Sequence, residues 1–506
     1  MMVRDLFSAL QDPVCSGDLS VDAGSIAYDS RRIKAGTVFV ALRGGKADGH
    51  DFISKAIEAG ASAIVAETAP PEDCHTAWAH VKNCRAALAD LAAAYYGHPS
   101  ESMFVGGVTG TNGKTTTAFL MHHLLNHAQL RCGLLGTVVY DVGGQLVPAT
   151  HTTPESLELQ GLLADMRDNG CRSVAMEVSS HALDQHRVRG VKFNAAVWTN
   201  LTQDHLDYHH TMEAYFAAKA KLFEMTAARK DGRLIINADD KWGRGLIETY
   251  KQHAGLSTYG FGISSHYRAS SQRFELTGTT FEMEHAGRSL LVRTPLIGQF
   301  NIYNSLAAVA AAHALGCNLR DSVRAMQTAP QVPGRMERVS ADNMRFHIFV
   351  DYAHTPDGLI NALSTARALR PNRLVTVFGC GGDRDRSKRP LMARAVEDHS
   401  DVCILTSDNP RTEDPRRIME DARKGFTRQT HTLIVDRREA IHVAIANAKD
   451  GDLIVIAGKG HETYQDIKGL KHDFDDRLVS RHAMNDLRAY TANQRMEAMQ
   501  KEEWGR

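Results

Sequence analysis

Residues 105–128 read VGGVTGTNGKTTTAFLMHHLLNHA. An apolar, β-branched run passes into a turn of glycine and threonine, then into a segment where Leu120, Met121, Leu124, Leu125 and Ala128 recur at helical spacing. Strand, glycine-rich turn and helix in that order are the context of a phosphate-binding loop. Small residues would let the backbone N–H groups of Gly110, Thr111, Asn112, Gly113, Lys114, Thr115 and Thr116 converge on an anion, where the helix N-terminus adds partial positive charge. Lys114 would reach the terminal phosphates and Thr115 would offer a hydroxyl to Mg2+, so the ligand implied is a triphosphate. The strict GxxxxGK[ST] pattern is not met: Val108 stands where its first glycine belongs, and the glycines fall at 106, 107 and 110. Read alone, TNGKT is also compatible with a plain turn carrying a solvated lysine.

Outward from this stretch, β-branched runs alternate with helix-period segments, as in VFVAL (38–42), ASAIVAE (61–67), RSVAMEVSS (172–180), AAVWTNL (195–201) and RLIINADD (233–240). That alternation predicts an α/β fold of parallel sheets covered by helices. A Gly/Pro/Ser break, GHPSES (97–102), follows an Ala-rich helix over Arg85 to Tyr96, and a second break falls at QTAPQVPGRMER (327–338), after a helix starting around Asn304. Three domains are therefore expected: 1–98; 99–333, a central P-loop parallel-sheet domain; and 334–506, a smaller Rossmann-like domain.

Lys plus Arg and Asp plus Glu are both 59, so no basic excess favours a polyanion and a dedicated nucleic-acid binder is not expected. No signal peptide or membrane span is expected either. The eight scattered cysteines form no CxxC pair and read as free thiols of a reducing cytoplasm.

Glu177 follows the apolar run Val174–Met176, at the end of an expected parallel strand, where a carboxylate suits Mg2+ beside phosphates or is simply a surface acid. In 199–225, TNLTQDHLDYHHTMEAYFAAKAKLFEM, the positions Met212, Tyr215, Phe216, Lys219, Leu222 and Phe223 share one helical face, which Lys219 interrupts. A lysine there must find an anion, lose its proton, be modified or snorkel to water. One modification that fits is a carbamate from CO2, which would turn the cation into a metal-ligating oxyanion, with His205 as a further ligand.

The TGTNGKTT loop, the glutamate, the DH pair and the AAK triplet, in that order, resemble the ATP-dependent Mur ligases of peptidoglycan synthesis. DSRRIKAGTVFVALRGGKADGHDF (29–52), TTPES (152–156), EVSSHAL (177–183), LIGQFNIYNSLAA (296–308), VPGRMER (332–338), DYAHTPD (351–357) and GKGHE (458–462) extend the resemblance over nearly the whole chain. SDNPRTEDP (407–415) matches the DNPR motif of the members that add meso-diaminopimelate. Physically, diaminopimelate is lysine with one further carboxylate, and the planar fork of Arg411 suits that group.

The resemblance implies domain and residue roles: 1–98 would bind the UDP substrate, 99–333 would be the ATPase domain and 334–506 would bind the amino acid. Lys114, Glu177, His205 and Lys219 would be catalytic. Asn301 and Asn304 would lie near the adenine, and Arg335 and Asp351 would reach ATP from the last domain. Ser30 would lie in the uridine-nucleotide pocket, and Thr152, Thr153, Ser179, Gln185 and Arg187 would hold the muramoyl-alanyl-glutamate portion. His151 stands where the family usually has asparagine, and an imidazole still makes one such hydrogen bond. Arg384, Asp408, Asn409, Pro410, Arg411, Gly458 and Glu462 would bind diaminopimelate, while Thr115, Glu177, His205 and a carbamylated Lys219 would hold Mg2+. The expected partners are UDP-N-acetylmuramoyl-L-alanyl-D-glutamate, meso-diaminopimelate and ATP, on a cytoplasmic monomer. A lysine-adding sister ligase and a P-loop NTPase switch are the rival readings. Arg411 argues against the first, while the DNPR segment and the lysine on an apolar face stay unexplained by the second.

Overall fold

Met121 and Phe193 explain why two glycines precede the loop. The strand Phe104–Thr109 runs into the helix Lys114–His127, and a Cβ on Gly106 would come within 2.5 Å of Met121 Cε, one on Gly107 within 2.8 Å of Phe193 Cε1. These glycines therefore serve the packing of strand against its neighbours, whereas Gly110 and Gly113 shape the loop itself at φ of 142° and 87°. On the helix, Leu120, Met121, Leu124 and Leu125 are buried as the periodicity requires. Ala128 is exposed, because it caps the helix end rather than continuing its face.

The structure is a computed structural model of the chain and describes residues 1–44, 47–341, 344–428 and 431–489. Gly45 and Lys46 of the segment 29–52, and residues 490–506 of the expected last domain, lie outside the described residues. Three large sheets carry the fold. The first places Val14–Ser16, Ala77–His80, Ala61–Ala66, Thr37–Val40 and Ser25–Ala27 side by side, all pairs parallel except the first.

The second, of eleven strands, has Phe104–Thr109 at its heart between Ser173–Glu177 and Ala195–Trp198, with parallel pairing from Cys132–Leu135 across to Tyr267–Glu275. Both edges add antiparallel strands, Gly278–His285 with Arg288–Thr294 on one side and Val139–Asp141 with Leu146–Pro148 on the other. The parallel sheet that the alternation predicts forms the body, and the antiparallel strands are added only at its edges, where short tight turns can join antiparallel neighbours but not parallel ones.

The third sheet orders Glu337–Arg338, His347–Asp351, Leu453–Ala457, Leu374–Cys380, Val402–Ser407 and His431–Leu433, parallel after the first pair. The strand Leu453–Ala457, late in sequence, is inserted between His347–Asp351 and Leu374–Cys380, so the strand order reverses there, and in open α/β sheets ligands bind beyond the carboxyl ends at such a reversal.

The helix expected from Asn304 starts earlier and spans Gln299–Ala314. The helix Cys84–Tyr95 and the helix Met212–Ala227 sit where the periodicity places them. In the latter Tyr215, Lys219, Leu222 and Phe223 are buried and Met212 and Phe216 pack partly buried against the same core.

The chain divides into two compact units: Met1–Leu201 with His209–Arg268 and Leu306–Ser322, and Thr202–Tyr208 with Ala269–Ser305 and Val323 onward. Among the described residues no helix is long and apolar enough to cross a membrane. All eight cysteines are unpaired.

Candidate active site

In the first unit the phosphate loop is fixed from outside by its neighbour strand. Thr111 N–H donates to Asn200 O at 2.8 Å, Asn112 N–H to Asn200 Oδ1 at 3.0 Å, and Thr199 Oγ1 to Asn112 O at 2.6 Å. Gly110 has no alternative at this contact: a Cβ there would lie 1.9 Å from Thr199 Oγ1. The Lys114 ammonium folds back over the loop, donating to Gly110 O at 3.0 Å and Thr111 O at 2.8 Å.

Glu177 ends the strand beside the loop strand and is 1% exposed. Thr115 Oγ1 donates to its Oε2 at 3.0 Å, and Thr137 reaches both oxygens, N–H to Oε1 at 2.7 Å and Oγ1 to Oε2 at 3.2 Å. The surface-acid alternative is thereby excluded. Thr137 was not singled out in the sequence, where an isolated threonine after GLLG carries no signal. Hard hydroxyl and carboxylate oxygens beside a phosphate loop are the donor set Mg2+ takes, so Thr115 and Glu177 fit that ion.

Lys219, 1% exposed, donates to Gly110 O at 2.8 Å and lies 4.7 Å from the centre of the Tyr215 ring. It does not snorkel. Two lysine side chains thus meet on one carbonyl, an arrangement that like charges oppose unless an anion joins them or one amine is no longer a cation. Lys221 is the solvated one, paired with Asp184 at 3.0 Å.

Of the residues expected to hold the nucleotide-peptide, Thr152, Thr153, Ser179, Gln185 and Arg187 fall in one network around Glu177. Thr153 Oγ1 donates to Glu177 O at 2.8 Å and accepts from Ser179 N–H at 3.1 Å. Arg187 donates to Thr153 O at 3.1 Å and to Gln185 Oε1 at 2.7 Å, and pairs with Glu155 at 2.9 Å. Ser179 also caps the short helix Ser180–Asp184. Thr152 Oγ1 lies 3.1 Å from Thr137 Oγ1, His151 is exposed, and Ser30 sits half-buried in the turn Ser30–Arg32. Before it, Asp29 is held down to about 2 by the Arg31 side chain and N–H.

In the second unit His205, at φ 53°, follows Asp204, which Lys388 grips at 2.9 Å. Asp351 ends the strand His347–Asp351; burial raises its pKa against the opposing pull of Arg335 and of the Met336 and Ala353 N–H groups it accepts. The Arg335 guanidinium lies 4.8 Å from the Tyr352 ring centre. Asn301 and Asn304 are buried on the helix Gln299–Ala314, joined by a 2.9 Å hydrogen bond.

The DNPR and GKGHE segments meet beyond the strands Val402–Ser407 and Leu453–Ala457. A Cβ on Gly458 would come within 2.5 Å of Asp408 Oδ2, so only glycine lets these loops close. Asn409 Nδ2 donates to Glu462 Oε2 at 2.8 Å. Arg411, at φ 50°, is half-buried and gives one Nη1–H to Gly382 O at 2.6 Å, and Pro410 before it is buried. Asp408 is 8% exposed; its Oδ1 accepts Asn409 N–H at 2.6 Å while Oδ2 has no hydrogen-bond partner. Arg384 is exposed. Sequence reasoning missed Lys459, inside GKGHE, which is wholly buried here and bonded to Asn409 and Glu462.

A glycine-rich loop between strand and helix, faced by a buried carboxylate on an α/β fold, defines a nucleotide-binding protein of the P-loop kind. The Mur ligase middle domain matches residues 108–312, the Mur ligase glutamate ligase domain 334–460, and the Mur ligase family catalytic domain 23–96. The chain belongs to the Mur ligase family.

It is 45% identical over 482 residues to the UDP-N-acetylmuramoyl-L-alanyl-D-glutamate--2,6-diaminopimelate ligase of Syntrophomonas wolfei subsp. wolfei, covering 95% of this chain and 97% of that one. With the ligase of the same name from Geobacillus kaustophilus it shares 46% identity over 92% of this chain and 95% of that one. A solved structure of a ligase of that name superposes with a TM-score of 0.68 at 35% identity, covering 96% of this chain and 99% of that one.

Proposed function

We propose that this chain is an ATP-dependent amide ligase of peptidoglycan precursor synthesis, joining meso-diaminopimelate to the D-glutamate γ-carboxylate of UDP-N-acetylmuramoyl-L-alanyl-D-glutamate. The observation that supports an amino-acid ligand here is Asp408: a buried carboxylate oxygen without a partner is costly, and a ligand's ammonium group would remove that cost, whichever amino acid brings it. Arg411 beside it on the chain offers the guanidinium that the extra carboxylate of diaminopimelate calls for. A lysine ligand would leave that guanidinium unmatched.

The reaction divides into two displacements. In the first, the γ-carboxylate of the D-glutamyl group attacks the γ-phosphorus of ATP, forming an acyl phosphate and expelling ADP. The loop N–H groups from Gly110 to Thr116 hold the phosphates, Lys114 leaves its carbonyl partners to neutralise charge on the transferring group, and Arg335 adds to it. Thr115, Glu177, His205 and Lys219 would hold Mg2+, which when bound supplies charge neutralisation at the phosphate oxygens.

In the second displacement, the free amine of diaminopimelate attacks the acyl carbon. The tetrahedral intermediate then expels phosphate, leaving an amide. Asp408, Asn409, Arg411 and Glu462, together with the exposed Arg384, orient the amino acid so that the far amine is the one presented. Asn301, Asn304 and Asp351 serve the ATP site. Ser30, His151, Thr152, Thr153, Ser179, Gln185 and Arg187 serve the nucleotide-peptide. Lys219 is read as a carbamate on the resemblance of its AAK triplet to the family motif, and its burial beside the phosphate loop is compatible with that reading.

Phosphate release is measured with ATP, Mg2+ and UDP-N-acetylmuramoyl-L-alanyl-D-glutamate, in parallel with meso-diaminopimelate, L-lysine or no amino acid, and products are weighed by mass spectrometry. The expected result is release that depends on diaminopimelate, with a product heavier by one diaminopimelate less water. Dependence on lysine would overturn the reading of Arg411. Equal release without any amino acid would favour an NTPase switch.

A further inference from the structure

Lys459 is 0% exposed, yet its aliphatic stem and ammonium sit inside the loop that carries two ligand residues. The flanking glycines explain how it gets there. Gly458 and Gly460 adopt φ of 118° and 54°, turning the chain twice around the lysine, and a Cβ on Gly460 would collide with Tyr352 Cβ at 2.7 Å. The ammonium donates to Asn409 Oδ1 at 3.0 Å and to Glu462 Oε2 at 3.0 Å, 5.6 Å from the centre of the Tyr464 ring.

These contacts set the orientation of both partners. Asn409 Oδ1 receives Lys459 and the Asp466 N–H at 3.0 Å, so its amide can only present Nδ2 toward Glu462, which it does at 2.8 Å. Glu462 Oε2 thereby takes two donors, and Oε1 is left for a ligand. Charge points the same way: Asp408, Glu462 and Lys459 together carry one net negative charge, which matches one ligand ammonium. Without the lysine two carboxylates would face one ammonium, at a cost paired buried ions avoid.

We propose that Lys459 is a positioning residue of the amino-acid site, holding Asn409 and Glu462 in one orientation and balancing one of the two carboxylates that receive the ligand's ammonium group. The proposal rests on the functional reading above. It goes beyond that reading by making a side chain that touches no substrate a determinant of amino-acid affinity.

The test compares KM for meso-diaminopimelate, ATP and the nucleotide-peptide, together with thermal midpoint, in the wild type, K459M, E462Q and the double variant K459M/E462Q. K459M is expected to raise KM for diaminopimelate about tenfold or more, the scale of one charged hydrogen bond left unmade, with the other two KM values within about twofold. In the double variant the two effects should fall short of multiplying, since both act through one pair. If K459M does not fold, K459Q, which keeps an N–H donor there, should show a smaller rise of the same selective kind. An unchanged KM for diaminopimelate, or equal rises for all three substrates alongside a lower midpoint, would reduce Lys459 to a packing element. Wild-type turnover independent of diaminopimelate would instead sink the functional reading, and the proposal with it.

Discussion

Lys219 and Lys114 both donate to the Gly110 carbonyl, at 2.8 and 3.0 Å, and at this scale charge decides what each must be. Lys114 sits at a helix N-terminus on a half-open loop, where an incoming phosphate gives it an anion. Lys219 is buried on an apolar helix face beside Tyr215, where a second cation is disfavoured. We expect protein equilibrated with 13C-bicarbonate to show a carbamate carbon by NMR that is absent from Lys219→Ala, and this variant to lose about 10²- to 10³-fold in kcat, the scale of one lost electrostatic contact at a transition state. Identical carbon spectra for the two proteins would leave Lys219 an ordinary ammonium. The periodicity of 212–223 already placed this lysine on the buried face. Its meeting with Lys114 was invisible there, because 109 residues of chain separate Gly110 from Lys219.

Among the elements, the helix Arg437–Ala446 does something its sequence conceals. Arg437, at its first position, is fully buried against Asp476, Nη2 to Oδ2 at 2.8 Å, and its fork also reaches Ala457 O at 2.9 Å. That carbonyl immediately precedes Gly458, so one buried ion pair ties the helix start to the strand end that bears the GKGHE loop. Arg437→Met alone leaves Asp476 charged and unpaired, and urea unfolding followed by circular dichroism should show a loss of about 3–5 kcal/mol. Replacing both, Arg437→Met with Asp476→Leu, should recover most of it, to within about 1 kcal/mol of wild type. Equal losses for the single and double variants would assign the effect to lost packing. In the sequence, DRREA after an apolar run reads as an ordinary polar helix start.

On the scale of the molecule, residues of one expected reaction are distributed over two compact units, with the phosphate loop and Glu177 in the first and the DNPR and GKGHE segments in the second. Ligands protect most the structure they bind. Hydrogen exchange of the full chain should therefore slow over 374–411 and 453–467 when meso-diaminopimelate is added. It should stay unchanged over 25–40 and 61–66, where the nucleotide-peptide should act instead. Uniform protection by either ligand would contradict this division of labour.

What the sequence determined by itself was local: the strand, turn and helix of 105–128, the alternation that makes an α/β chain, the buried face that includes Lys219, and the motifs that place the family. Each depends on neighbours within a turn or two of helix or a few residues of strand, where steric and periodic rules act. Only the tertiary structure decided that Gly106 and Gly107 are packing glycines rather than loop glycines, since what a Cβ would strike lies on other elements. It alone also put Thr137 on Glu177, Lys459 between Asn409 and Glu462, and antiparallel edges on the central sheet. Those are long-range contacts. Hydrogen bonding and charge choose them only after burial has brought distant segments together, and no local pattern in the chain records that choice.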